Sequence, residues 1–125
     1  MNNLKQFIKK QYLNIETFRK NGAGVRTPVW FGQDNETLYV ITLAGSGKVK
    51  RIRNNGRVNI APCKMDGTPI GTWSPANARE IIDPEIAEKA NHLFDKKYGL
   101  LKKLFGLGTS RQGRQDIILE IKLIE

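Results

Sequence analysis

The run "TLAGSGKVKRIRNNGRV", Thr42 to Val58, is the part of this sequence best suited to hold an anion. A Gly-Ser-Gly turn leads into Lys48, and Lys50, Arg51, Arg53 and Arg57 follow closely. A nucleotide-triphosphate loop requires glycine, four residues, then Gly-Lys-Ser/Thr, so that backbone N–H groups wrap the phosphates and a hydroxyl holds magnesium. Here Thr42 stands at the first glycine position and Val49 follows the lysine, so the motif fails twice. The local physics still favours an anion. The residues predict a short helix from Gly47, capped by the Ser46 hydroxyl, and helix N-termini bind phosphate through free N–H groups. Lys48 in the first turn opposes the helix dipole unless an anion compensates it. The same residues also read as a solvated basic helix face.

Other reactive types stand alone. Arg26 lies within the apolar stretch "GVRTPVWF", where its fork either meets a phosphate or carboxylate or points to solvent from an edge strand. His92, the one histidine, has no partner motif and reads as structural. Cys63, the one cysteine, has neither a base nor an oxyanion site in view and reads as a core thiol at a strand end. No cluster of histidine, cysteine or carboxylates has metal-ligand spacing. Trp30, Tyr39 and Trp73 read as core or interface residues that are also able to stack on an aromatic ligand.

Charge placement sharpens the reading. The net charge is +9, yet no Asp or Glu occurs from Thr37 to Met65, where Lys48, Lys50, Arg51, Arg53, Arg57 and Lys64 all lie. A basic chain prefers nucleic acid, anionic lipid or phosphorylated small molecules. Aromatic residues are only 8% of the chain and none interleaves the basic helix, which argues against a nucleic-acid-binding barrel. "KKYGLLKKLFGLG" interleaves lysine and leucine, but its glycines make a poor interfacial helix. With no secretory h-region, no run of about 20 apolar residues and a single cysteine, the expectation is a cytoplasmic protein without a membrane span.

The elements that must position these residues follow from periodicity. At 125 residues the chain is expected to be one domain, residues 1–125. "LKQFIKK" predicts a short helix with Leu4, Phe7 and Ile8 on one side. "YLNIETFR" alternates Leu13, Ile15 and Thr17 against Asn14, Glu16 and Phe18, a strand. Asn21–Gly22 is a turn signal before a second strand, "VRTPVWF", where Pro28 marks an edge or bulge. "GQDNE" reads as a turn and "TLYVITLA" as the third strand. Val49 and Ile52 face the core from the short basic helix. "RVNIAPC" is a fourth strand, and Ile70 to Ile82 a fifth. Asp83 as N-cap and Pro84 at the first position open the clearest helix, which Gly99 is expected to stop. A short helix and a basic loop follow, then a closing strand, "QDIILEIKLIE". The result is a largely antiparallel, barrel-like sheet with inserted helices.

"TFRKNG", "RTPVWF", "LYVIT", "SGKVKRIRNNGRVNIAPC" and "KKYGL" together resemble the pyridoxamine-5′-phosphate-oxidase-like flavin-binding split barrels. Among these they are most similar to the small deazaflavin (coenzyme F-420)-dependent oxidoreductases. The likeness runs from about Tyr12 to Tyr98 and resumes at the final strand. It implies a mainly β fold, a six-stranded antiparallel split barrel, and a homodimer with cofactor at the subunit interface. It further implies that Arg26 and Lys48 bind the cofactor phosphate, helped by Thr42 and Ser46. The backbone of Thr27, Pro28 and Val29 would line the flavin or deazaflavin ring, and Lys50 and Arg51 would meet a longer anionic tail. Phe31 stands where true pyridoxamine-phosphate oxidases carry a lysine, and Gly47 where they carry the arginine of Ser-Arg-Lys. Such oxidases also continue into a product-binding segment beyond the last strand. These departures argue against pyridoxamine oxidase activity, and the missing lysine and arginine favour F-420 over FMN. The implied function is hydride transfer between F-420 or FMN and a small organic substrate, with a non-catalytic cofactor-binding module as the alternative.

Overall fold

The computed structural model describes residues 3–104 and 116–124. Seven strands and two helices follow one another: β1 (Tyr12–Phe18), β2 (Gly24–Trp30), β3 (Gly32–Asp34), β4 (Thr37–Leu43), α1 (Gly47–Asn54), β5 (Arg57–Cys63), β6 (Ser74–Ile81), α2 (Pro84–Leu104) and β7 (Asp116–Leu123). All pairings are antiparallel and give one sheet in the order β2-β1-β5-β6-β7-β4-β3. The sheet does not close. β2 touches β4 without pairing with it, which leaves the curl split. Pro28 therefore sits on a sheet end, where a missing donor is tolerated.

Alternation builds the core. Leu13 and Ile15 of β1, Leu38 and Val40 of β4, and Leu119 and Ile121 of β7 point inward at alternate positions and are fully buried. Val49 and Ile52 of α1 are buried at one end of this core, three residues apart as the periodicity requires. Tyr39 and Ile118, on the opposite faces of β4 and β7, form a second cluster beneath α2 with Ala90, Phe94 and Tyr98. Tyr98 ties this layer to the end of β2: its hydroxyl donates toward the carbonyls of Gln11 (2.7 Å) and Phe31 (2.8 Å) and accepts the Phe31 N–H (3.1 Å).

Several expectations need correction. The sheet has seven strands, not six, because "GQD" in the expected turn pairs with β4. Three residues are too few to show a period. The N-terminal segment is a 3-10 turn, Asn3–Phe7, and its three-residue repeat buries Leu4 and Phe7 but leaves Ile8 54% exposed. The fifth strand starts at Ser74 rather than Ile70. The preceding backbone is claimed by Gln6, which receives the Thr72 N–H (2.9 Å) and donates to the Thr72 carbonyl (2.8 Å). Asp83 does accept the Glu85 N–H (2.9 Å) at the start of α2, but Gly99 does not end that helix. A stop glycine needs a left-handed backbone, and Gly99 has none. The expected basic loop after α2 falls largely outside the described residues.

Candidate functional site

The anion-binding stretch lies where β4 runs into α1. Thr42, the penultimate residue of β4, points inward with Leu38 and Val40 and is 9% exposed. A turn follows, closed by the Ser46 N–H on the Leu43 carbonyl (3.1 Å). Ser46 is the N-cap residue by backbone position, with φ −69° and ψ 155°. Its hydroxyl does not cap, contrary to expectation: Oγ is buried and has no hydrogen-bond partner among the described residues. The N–H groups of the first turn have no intrahelical acceptor. A buried free hydroxyl therefore sits beside a set of unused backbone donors.

Two cations belong to this end of the helix. Lys48 is half-buried, and its pKa is lowered first by that burial and then by the charge of Arg51. Arg51 stands one turn after Gly47 on the same helix face, and side chains on a helix lean toward its N-terminus. It does so here: Nε donates to Thr17 Oγ1 at 2.6 Å, and a Cβ placed on Gly47 would lie 2.8 Å from Nη1. The guanidinium thus lies back over the first residue of α1. Neither cation is in an ion pair among the described residues, unlike Arg26 with Glu16, Arg53 with Glu80, Arg79 with Glu120 and Lys89 with Asp34. The rest of the basic run faces elsewhere. Lys50 and Arg57 are exposed, and Arg53 grips Glu80 with two bonds of 2.8 and 3.2 Å.

The β1–β2 register decides the place of the β2 residues. Val25 is paired with Thr17, Arg26 with Glu16 and Thr27 with Ile15. Paired residues share a face and neighbours alternate. Thr27 therefore shares the inward face of Ile15 and Thr17. Arg26 is on the outer face, 3.1 Å from Glu16 Oε2 and with its guanidinium 4.6 Å from the Trp73 ring. Asn59 holds the other Glu16 oxygen at 3.1 Å. Val29 packs against the core, whereas Pro28 is exposed on the outer face near Gly67. The fold thus brings Thr42, Ser46, Lys48 and Arg51 to one end of the core, and leaves Arg26 and Lys50 apart from them.

Thr17 and Gly47 had no assigned role in the sequence. The available signal was a hydroxyl in an otherwise apolar buried row, Leu13-Ile15-Thr17. The lone reactive types behave structurally. Cys63 is 3% exposed, with its thiol pushed up to about 11 by burial and by Asp66. His92 is exposed on α2, and Trp30 stacks flat on Tyr98 at 4.4 Å. The described residues contain no metal-binding group of histidine, cysteine or carboxylates, and no helix long and apolar enough to cross a membrane.

No protein-family model and no curated protein matches this chain. Solved structures do. A Listeria innocua protein named for pyridoxamine 5′-phosphate oxidase is 15% identical, with TM-score 0.70 over 98% of this chain and 90% of its own. HutZ, the heme storage protein of Vibrio cholerae, is 12% identical, with TM-score 0.73 over 97% of this chain and 87% of its own. An F420 reductase is 15% identical, with TM-score 0.60 over 100% of this chain and 95% of its own. Identities this low establish a fold and not an activity. The chain shares the fold of these neighbours, the split barrel of the pyridoxamine-5′-phosphate-oxidase-like proteins.

Proposed function

We propose that this protein is a flavin- or deazaflavin-dependent oxidoreductase that holds its cofactor phosphate at the start of α1. The observation that carries the reading is the buried, unpartnered Ser46 hydroxyl beside two cations without carboxylate partners. A phosphate accepts hydrogen bonds from Ser46, from the first-turn N–H groups and from both cations, and so satisfies every one of these groups. Thr42, at the end of β4, adds a further hydroxyl. The bound cofactor supplies hydride transfer, and the chain supplies binding, orientation and exclusion of water. This division of labour needs no acid–base dyad in the protein.

The ring of the cofactor is assigned to β2. As a sheet end, this strand directs the backbone groups of alternate residues in Thr27–Val29 away from β1, where no strand pairs with them. Such groups suit the polar edge of a flavin or deazaflavin. Arg26 would join only by exchanging Glu16 for phosphate, and Lys50 only through a cofactor tail that runs over the solvent face of α1. Val25, Val29 and Trp30 of β2 are only partly buried, which suits a homodimer that covers them. The F420 reductase among the structural neighbours favours the deazaflavin. The heme storage neighbour supports a second reading, a non-catalytic binding module.

Lys48→Ala is expected to weaken binding of FMN or F-420 by about tenfold or more, the loss of one charge-assisted contact. Fluorescence titration measures this, and unchanged affinity for both cofactors would overturn the assignment. Turnover of quinones, enones or tetrapyrroles by the reduced cofactor separates enzyme from module.

A further inference from the structure

We infer that the Lys97 ammonium is a subsite for a conjugated oxyanion, the oxygen of a phenolate or an enolate, at the closed end of the barrel's split. The inference rests on the proposed function only in taking the split as the place of the cofactor ring.

The topology fixes where the split closes. β3 pairs with β4 only from Gly32↔Tyr39 to Asp34↔Thr37, so beyond Tyr39 that side of β4 has no strand partner among the described residues. The outer side of β2 has none either. β2 and β3 are the two ends of the sheet, and Phe31 joins them in the chain. The two unpaired edges therefore part from one another at Phe31 and open toward α1. Val25 pairs with Thr17, which places it level with the Arg51 contact, and Phe31 follows six positions later. At about 3.3 Å per residue the split runs about 20 Å between these two levels.

Lys97 of α2 is anchored at the closed end. Its Nζ donates to the Phe31 carbonyl at 2.9 Å and stands 3.7 Å from the centre of the Phe31 ring and 5.1 Å from that of Tyr98. Lysines ordinarily lay the stem on apolar surface and keep the head in water. Lys97 does the reverse: the residue is exposed while its ammonium is turned in. Two of its three N–H groups have no acceptor, and no carboxylate pairs with it, among the described residues. Desolvation is the single cause that lowers its pKa to about 8. The titratable groups of the surrounding elements are Lys10 after the N-terminal turn, Tyr12 of β1, Asp34 of β3, and Asp95 and Tyr98 of α2, and none of them offsets this charge. A desolvated cation without a counter-charge is a cost that a bound anion removes.

The surroundings select the anion. A phosphate or a carboxylate asks for several donors, and the Phe31 N–H is already spent on the Tyr98 hydroxyl at 3.1 Å. One ammonium serves one oxygen. The walls are aromatic: Phe31, Tyr98 and Trp30, the last stacked flat on Tyr98 and only partly buried. A flat conjugated ring that carries the oxygen itself fits both features. Two sources share this chemistry. One is the phenolic hydroxyl that F-420 carries and FMN lacks. The other is the oxygen of a quinone or enone acceptor once it is reduced.

The test follows ionisation by visible absorption as pH is varied. It uses the full chain with F-420, and 4-nitrophenol on the full chain with and without FMN. The wild type is expected to lower the apparent pKa of the bound hydroxyl by about one unit, a tenfold preference for the oxyanion. Lys97→Met is expected to abolish the shift and Lys97→Arg to keep it, with circular dichroism confirming the fold of both. In the wild type, carbon-13 NMR of the Lys97 ε-methylene is expected to show a higher titration point with 4-nitrophenol bound, a measurement that needs no variant. A shift with F-420 alone assigns the oxygen to the cofactor, and a shift with 4-nitrophenol alone assigns it to the substrate; either supports the subsite. Ionisation of both ligands that is the same in wild type and Lys97→Met overturns it, and cofactor binding lost in Lys48→Ala would still uphold the phosphate site. If neither cofactor binds while Lys97 still ionises 4-nitrophenol, the subsite stands and the cofactor reading falls.

Discussion

Tyr98→Phe is the substitution whose effect follows most directly from the geometry. Tyr98 is 1% exposed, and its ring stacks flat on Trp30 at 4.4 Å. Removing only the oxygen keeps that stack. It leaves the Phe31 N–H without its 3.1 Å acceptor and the Gln11 carbonyl without its 2.7 Å donor, while the Phe31 carbonyl keeps the Lys97 ammonium at 2.9 Å. An orphaned buried polar group costs about 1–3 kcal/mol. With one donor lost outright and one carbonyl partly, the expected loss is about 2 kcal/mol. For a domain of this size that corresponds to a fall in melting temperature of about 6–12 °C. Burial also raises the pKa of the Tyr98 hydroxyl, so the proton needed for donation is retained across ordinary pH. Thermal and urea unfolding followed by circular dichroism measure the change, and an unaltered urea slope establishes that the same surface is exposed. A melting temperature within about 2 °C of wild type would refute the claim that this hydroxyl pins the end of β2.

Other expectations follow from the same contacts. Arg53→Gln should leave cofactor affinity within about twofold of wild type, because Arg53 is committed to Glu80; a tenfold loss in titration would place Arg53 on the ligand instead. Lys97 is exposed as a whole, but its ammonium reaches over the Phe31 ring (3.7 Å) and donates to the Phe31 carbonyl, and desolvation of that head group lowers its pKa to about 8. The unfolded value lies near 10.4, so between these limits the unfolded state binds more protons and stability rises with pH. Urea midpoints should therefore increase from about pH 8 toward pH 10, and Lys97→Met should flatten this rise; an unchanged slope in the variant would contradict the assignment.

What could be read from the sequence divides by contact range. "RVNIAPC" was expected as a strand and forms β5 from Arg57 to Cys63, because alternation is a local property. The Asp83-Pro84 start of α2 is local as well, and so is the start of α1 at Ser46 and Gly47. Errors arose where distant residues decide. Residues 70–73 have a strand's composition, yet Gln6, 66 residues away, takes the Thr72 backbone. Gly99 has the type of a helix stop without the backbone of one. The same division runs through the site. Ser46 and Lys48 are neighbours in sequence and legible, but the Arg51–Thr17 contact spans 34 residues. The face of Arg26 depends on strand register, and a slip of one residue would exchange it with Thr27.

Local rules hold along most of this chain, and several fail together at the start of α1. α1 has no acidic residue in its first turn, where one would favour the dipole, and has Lys48 there instead. Its N-cap serine has the residue type and backbone of a cap but leaves its hydroxyl unused. Arg51, well placed for the far end of the helix, is folded back toward the end where positive charge is unfavourable, and Lys48 and Arg51 disfavour one another. Each of these features, taken by itself, costs stability. Elsewhere Tyr98 and Gln6 satisfy their polar groups, Asn14 Oδ1 being the exception among the described residues, and the fold gains nothing by concentrating three misfits within six residues, Ser46 to Arg51. One anion placed at the start of α1 reverses the sign of all three at once: it accepts from the serine, compensates both cations and meets the dipole's positive end. Misfits that a single ligand resolves together are better explained by that ligand than by three separate accidents of folding.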